Sequence, residues 1–298
     1  MFMTKIGIVG IGDMGSGIAK NLIAGGFDVH GIDTLEKRMQ DFVALGGTAA
    51  KTLADVADDA AAVFVMVMTG AQAKTVIFGD DGLAAHLPKG SSIILTATIK
   101  PIEAKEIADG LDGSGVNLID SPVSGGFPGA QGGTLTMMAA GNDVAMENCR
   151  TFMEAVSGTI HKVGDAAPAG QIVKACLQSL IGSIFSATFE AATLAAKAGV
   201  PGEILYNVFS TSGASSGITN NALQKIIDRQ FEGTGSHIAT MHKDLTISLA
   251  LGEELGVPLH TASTAMQLFH AGKTKYPNGD NWVVTRVLEE IVGAELHR

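Results

Sequence analysis

Three groups of residues in this chain have types and spacings suited to chemistry. The first is Gly10-Ile11-Gly12-Asp13-Met14-Gly15, a G-x-G-x-x-G spacing that follows an apolar run at 6–9 and opens a segment that reads as helix. In that order Gly10 permits a tight turn out of a strand, Gly12 lets backbone approach a pyrophosphate, and Gly15 lets the helix pack closely on the sheet. The free N–H groups at the helix start favour negative charge. The second is Ser124-Gly125-Gly126, a hydroxyl beside consecutive unhindered amides. That is a concavity suited to a carboxylate, or a turn that only joins strand to helix. The third is Lys174, set among apolar residues in Gln171-Ile172-Val173-Lys174-Ala175-Cys176-Leu177. Most lysines are solvated surface groups; a buried one has its pKa lowered toward working pH and can exchange a proton.

The glycine spacing is weak evidence alone, because the chain has 38 glycines. Its surroundings strengthen it. A second apolar strand at 28–32 ends in Asp33, about 20 positions on, where an adenosine ribose would be hydrogen-bonded. A carboxylate there repels a 2′-phosphate and argues for NAD, although Lys37 and Arg38 follow closely and are cations able to serve such a phosphate.

The elements that must position these groups alternate. The continuous apolar run at 61–68 reads as a parallel strand covered on both faces, 92–96 and 116–120 read as further strands, and 134–140 and 161–163 as two more. Helix signals lie between them, including Pro101 at a helix start. This alternation through about residue 165 is a doubly wound α/β pattern, with right-handed crossovers and ligands at strand C-termini, and Asp33, Thr69, Thr98 and Ser124 fall at such ends. From 169 onward strand patterning stops. Segments 170–198, 201–210, 220–229 and 238–255 read as helices, the first unusually long and Ala-rich with no strongly polar face, as in a helix buried between domains or subunits. The expected organisation is therefore an N-terminal Rossmann sheet domain over 1–165 and an all-α domain over 166–298, with a long interdomain helix.

Composition narrows the class. With 298 residues and a net charge of −10 but no basic run, the chain has a sizeable core and no nucleic-acid surface. Two cysteines, Cys149 and Cys176, support neither a disulfide framework nor a zinc site, so no metal is expected. The N-terminus enters a strand almost at once, and apolar stretches are broken before membrane-spanning length, so a cytoplasmic protein without a membrane partner is expected.

The glycine fingerprint, Asp120-Ser121-Pro122-Val123-Ser124-Gly125-Gly126, Lys174, and Lys243-Asp244-Leu245 with Gly256-Val257-Pro258-Leu259 together resemble the β-hydroxyacid dehydrogenase family, in its order and over nearly the whole chain. The resemblance implies an NAD-dependent oxidoreductase transferring a hydride between a small hydroxyacid and the nicotinamide. It implies that Ser124, Gly125 and Gly126 hold the substrate's acid group and that Lys174 is catalytic, accepting the hydroxyl proton in oxidation and donating it in reduction. Lys243 would approach the cofactor and Thr98 would contact it, with Met68 and Thr69 lining the nicotinamide side. Gln178, one helical turn after Lys174, stands where many members carry Asn. Its longer amide moves the donor by one methylene, as in L-threonate-type members acting on polyhydroxylated four-carbon acids. His242, adjacent to Lys243, is turned away by helix geometry and has no assigned role.

Within the family, 3-hydroxyisobutyrate dehydrogenase and tartronate semialdehyde reductase are alternative activities. An imine reductase of similar architecture generally lacks the lysine, and a silent NAD-binding regulatory protein tends to have lost it. A homo-oligomer, dimer or tetramer, is expected from the long apolar helix.

Overall fold

In the computed structural model, which describes residues 3–298, strand and helix alternate from Lys5 to Gly164. The order is β1 (Lys5–Val9), α1 (Asp13–Ala24), β2 (Asp28–Ile32), α2 (Glu36–Ala44), β3 (Thr48–Ala49), α3 (Leu53–Ala57), β4 (Ala62–Val65) and α4 (Gly70–Phe78). There follow α5 (Leu83–His86), β5 (Ser92–Leu95), α6 (Pro101–Leu111), β6 (Asn117–Asp120), β7 (Val123–Ser124), α7 (Gly126–Gly132), β8 (Leu135–Ala140), α8 (Asp143–Val156) and β9 (Ser157–Gly164). The sheet runs β3-β2-β1-β4-β5-β6 in parallel. Alternate side chains feed two cores, which is why the strands read as unbroken apolar runs. Ile6, Ile8, Phe64 and Ile94 join one core, and Val9, Val63, Val65, Ile93 and Leu95 join the other.

The sheet is not parallel throughout. β6 and β7 pair antiparallel with β8 in one shared register, Asp120 opposite Ala140 and Ser124 opposite Thr136, while β9 is parallel to β8. Pro122 falls in the gap between β6 and β7, where its missing N–H does not interrupt a ladder. The expected strand at 61–68 stops at Val65, because Thr69 caps α4. Its Oγ1 accepts the Gln72 N–H at 3.2 Å and the Gln72 side chain accepts the Thr69 N–H in return. The intervening Met68 is therefore a loop residue and 51% exposed.

The remaining elements are helical: α9 (Ala169–Lys197), α10 (Gly202–Thr211), α11 (Gly217–Ile227), α12 (Ile238–Leu255), α13 (His260–Lys275), and a short 3₁₀ turn Asn281–Val283 leading into α14 (Val284–Val292). The chain divides into two compact units after Lys174, inside α9. The second unit has its own core of Phe185, Phe189, Phe269, Ile238, Leu245 and Trp282. Among the described residues, α9 is the one helix long and apolar enough to cross a membrane by length and composition. Phe185, Phe189 and Ala192 on it belong to the helical core, as in a core helix.

Candidate active site

The loop after β1 owes its shape to its glycines. Gly10 has φ +90°, and a Cβ there would lie 2.3 Å from the Met66 carbonyl oxygen. A Cβ on Gly15 would lie 1.9 Å from the Gly10 carbonyl oxygen, so α1 can start where it does only without a side chain. At Gly12 the added atom would meet nothing nearer than the Arg38 guanidinium at 3.6 Å, which keeps the backbone open to a ligand. Asp13 opens α1 and Met14 follows it, partly buried. Ile11 is buried, and its N–H donates to Asp33 Oδ2 at 2.7 Å, while the Leu35 N–H donates to Asp33 Oδ1 at 2.9 Å. Arg38 Nη1 stands 3.3 Å from the same carboxylate. Lys37, the other candidate cation, is turned to Asp41. These residues fit a dinucleotide: an open glycine backbone at a helix start, and an oriented carboxylate at the end of the next strand.

A second cradle forms after β7. Gly125 at φ +128° and Gly126 at φ +58° lead into α7, and both are exposed beside the half-buried Ser124. Two exposed glycines at a turn that opens a helix leave backbone amides uncovered by side chains, a setting that suits an anion. α7 is fastened to α1: the Asn21 side chain donates to the Ala130 carbonyl at 2.8 Å, and Gly17 permits the contact, since a Cβ there would sit 2.5 Å from the Ala130 carbonyl carbon. The glycine loop and the turn at 124–126 thus belong to one packed assembly.

Lys174 is only 6% exposed, and its Nζ donates to the Val123 carbonyl at 2.8 Å. The amine is therefore held beside the residue that precedes Ser124. One turn earlier on α9, Gln171 makes contacts that the motifs alone did not signal. Its Oε1 accepts the Ile99 N–H at 3.0 Å, and its Nε2 donates to the Ala97 carbonyl at 3.0 Å and to Asp120 Oδ1 at 2.8 Å. Its backbone N–H donates to Asp120 Oδ2 at 3.1 Å. Thr98, half-buried, lies between the two residues that Gln171 pairs with. Asp120 is fully buried, and that burial pushes its carboxyl up to about 6 against the hydrogen bonds from Gln171 and Gly170.

In the second unit, Gln178 is buried and its Nε2 donates to Asp244 Oδ2 at 2.5 Å. Lys243 Nζ lies 2.9 Å from Asp244 Oδ1. The Gln178 amide is thereby oriented, with one N–H engaged by a carboxylate. His242 Nε2 meets His270 Nδ1 at 2.8 Å, and burial, then Lys273 and His270, hold its pKa below the usual histidine range. Among the described residues no group of three or more His, Cys, Asp or Glu could hold a metal ion.

Residues 5–164 match the family described as the NAD binding domain of 6-phosphogluconate dehydrogenase. Residues 168–288 match the one described as NAD-binding of NADP-dependent 3-hydroxyisobutyrate dehydrogenase. The chain is a β-hydroxyacid dehydrogenase family member. It is 33% identical to the L-threonate dehydrogenase of Escherichia coli K12 over 288 residues, covering 96% of this chain and 95% of that protein. The 2-hydroxy-3-oxopropionate reductase of Escherichia coli K12 is 31% identical, covering 89% and 90%. The crystal structure of a 3-hydroxyisobutyrate dehydrogenase from Salmonella typhimurium superposes with a TM-score of 0.88 at 31% identity, over 95% of this chain and 99% of that one. This β-hydroxyacid dehydrogenase is thus an oxidoreductase that uses a nicotinamide dinucleotide and a small-molecule substrate.

Proposed function

We propose that the protein oxidises or reduces a small polyhydroxylated acid of the L-threonate type with NAD. The observation that carries the reading is the Lys174 amine held at the Val123 carbonyl, beside Ser124, Gly125 and Gly126. Ser124 and the two glycine amides bind the substrate carboxylate, which orients the hydroxyl-bearing carbon. Lys174 takes the hydroxyl proton on Nζ during oxidation and returns it during reduction; its burial excludes competing water. A nicotinamide dinucleotide, when bound, would supply the two-electron acceptor. Gly10 to Gly15 would hold its phosphates and Asp33 its adenosine ribose, with Met68, Thr69 and Thr98 at strand ends and Lys243 assigned to the cofactor as well.

Gln178 lies four residues after Lys174 on one continuous helix and so shares its face. With one N–H committed to Asp244, its carbonyl oxygen is available to accept from a substrate hydroxyl. That supports a hydroxylated acid over a methyl-bearing one. The 33% identity to L-threonate dehydrogenase supports the same choice, with 3-hydroxyisobutyrate and tartronate semialdehyde as the other candidates. Asp33, tied to two backbone amides, supports NAD over NADP. A domain boundary at 165/166 belongs to this reading, since the family matches end at 164 and resume at 168. A cytoplasmic homo-oligomer, dimer or tetramer, completes it.

The test is a panel of threonate, glycerate and 3-hydroxyisobutyrate assayed with NAD and NADP by the absorbance of the reduced cofactor. Threonate with NAD should give the highest kcat/KM. A clear preference for 3-hydroxyisobutyrate, or for NADP, removes the corresponding part of the assignment.

A further inference from the structure

Gln171 touches neither candidate cradle, yet its side chain joins segments that carry proposed active-site groups. The Ala97 carbonyl and the Ile99 N–H flank Thr98, and the Gln171 amide pairs with both, as a neighbouring strand would. The same amide donates to Asp120, two residues before the Pro122-Val123 peptide, and Val123 is the residue whose carbonyl receives Lys174. Gln171 is itself one turn from Lys174 on α9. The close seating depends on Gly170, where a Cβ would lie 2.5 Å from the Asp120 carbonyl oxygen and 2.6 Å from the Met138 carbonyl oxygen.

The donor and acceptor pattern leaves one arrangement. The Ile99 N–H requires an acceptor, which fixes the Gln171 oxygen toward it. Both hydrogens of Nε2 then face acceptors, the Ala97 carbonyl and Asp120 Oδ1. Ionised Asp120 accepts only, and it faces N–H donors from Gln171. An amide at 120, or a carboxylate at 171, sets like against like.

We propose that Gln171 and Asp120 are a positioning pair: they fix the strand-end segment around Thr98 and the first turn of α9, and through these set where the Lys174 amine stands. The pair takes no proton and touches no substrate. The inference rests on Lys174 being the catalytic amine, as proposed above.

The experiment uses the full-length protein carrying Gln171→Glu, Asp120→Asn and both changes together. Two readouts are taken: kcat and KM for the best hydroxyacid, and the rate at which Lys174 is modified by an amine-acylating reagent, followed by mass spectrometry without substrate. Each single change should lower kcat about 10- to 100-fold, as small displacements of a reacting group do, with NADH affinity held within about threefold. It should also change the Lys174 acylation rate several-fold, while Lys37 acylation stays constant. The double change restores a donor facing an acceptor between 120 and 171, and leaves one mismatch, a carboxylate oxygen at 171 against the Ala97 carbonyl. It should therefore be faster than either single variant and return the acylation rate toward wild type.

Additive losses in the double variant overturn the proposal, as do unchanged acylation rates. Equal loss of kcat and NADH affinity, with a lower Tm, marks the pair as structural only and also overturns it. Should no hydroxyacid be turned over while acylation still shows the rescue, the substrate reading fails and the positioning pair stands.

Discussion

In residues 5–174 the groups proposed to meet a ligand sit where a strand or helix ends: Gly12 after β1, Asp33 after β2, Ser124 at the end of β7, and Lys174 close to the start of α9. In residues 175–298 the corresponding groups, Gln178 and Lys243, sit inside helices and share Asp244 as a partner. Chain ends of elements expose backbone amides, so the recognition proposed for the first unit relies largely on backbone that glycine shapes. Helix interiors have no spare backbone, so the recognition proposed for the second unit falls to side chains oriented by other side chains. The first arrangement tolerates almost no change of backbone and the second is open to exchange of residues, which is where substrate choice can vary.

Substitutions test that contrast. Lys174→Ala should lower kcat about 10²- to 10⁴-fold, the usual worth of a positioned acid-base group, while NADH affinity measured by fluorescence changes little. Parallel loss of both would shift the lysine to a structural role. Gly15→Ala places an atom 1.9 Å from the Gly10 carbonyl oxygen, and should cost about 1–3 kcal/mol in urea unfolding, as overpacking does, and abolish NADH binding. Gly213→Ala in the helical unit meets nothing within 4 Å and should change stability by less than about 0.5 kcal/mol. Similar costs at the two glycines would break the comparison.

Asp33→Ala strands two backbone N–H groups and should narrow the NAD over NADP preference about tenfold, near 1.4 kcal/mol; an unchanged ratio removes the ribose role. Gln178→Asn should raise KM for a polyhydroxylated acid about fivefold, the worth of one hydrogen bond. Its effect on 3-hydroxyisobutyrate should be smaller. Equal effects would mean that Gln178 does not select hydroxyls.

Stability against pH also separates the units, because its sign differs between them. Asp120 is raised from 3.8 to about 6 by burial, so between those values the native state keeps a proton that the unfolded chain has released. Unfolding free energy therefore falls as pH rises through that window. His242 is lowered from 6.5, chiefly by burial, so the unfolded chain gains a proton that the native ring refuses, and unfolding free energy falls as pH drops below about 6.5. Urea midpoints across pH 4 to 8 should lose the first slope in Asp120→Asn and the second in His242→Gln.

What the sequence displayed follows from how local each signal is. The β1–α1 fingerprint, the strand ending in Asp33 and the helix Ile238–Leu255 each announce themselves within a few turns, by glycine spacing, apolar runs and a Gly-x-Pro stop. α7 is hard to read because Gly-Phe-Pro-Gly-Ala-Gln-Gly carries three glycines and a proline in seven residues, against helix propensity, while its packing on α1 favours the helix. The antiparallel direction of β8 depends on a pairing with β7 that two residues cannot advertise. Gln171 was invisible for the same reason: its partners lie 51 to 74 positions away. Arg38 lies over Gly12, a placement that its sequence position five residues after Asp33 does not display.

The tether between Gln171 and Lys174 has an evolutionary consequence. Adding or removing one residue between them would swing the amine about 100° around the helix axis and slide it about 1.5 Å, away from Val123. Letters in that stretch can drift, but the interval cannot. Descendants of this gene should therefore gather their insertions and deletions elsewhere, for instance around Ser212 to Ser216 between α10 and α11, where the chain joins two helices through exposed loop.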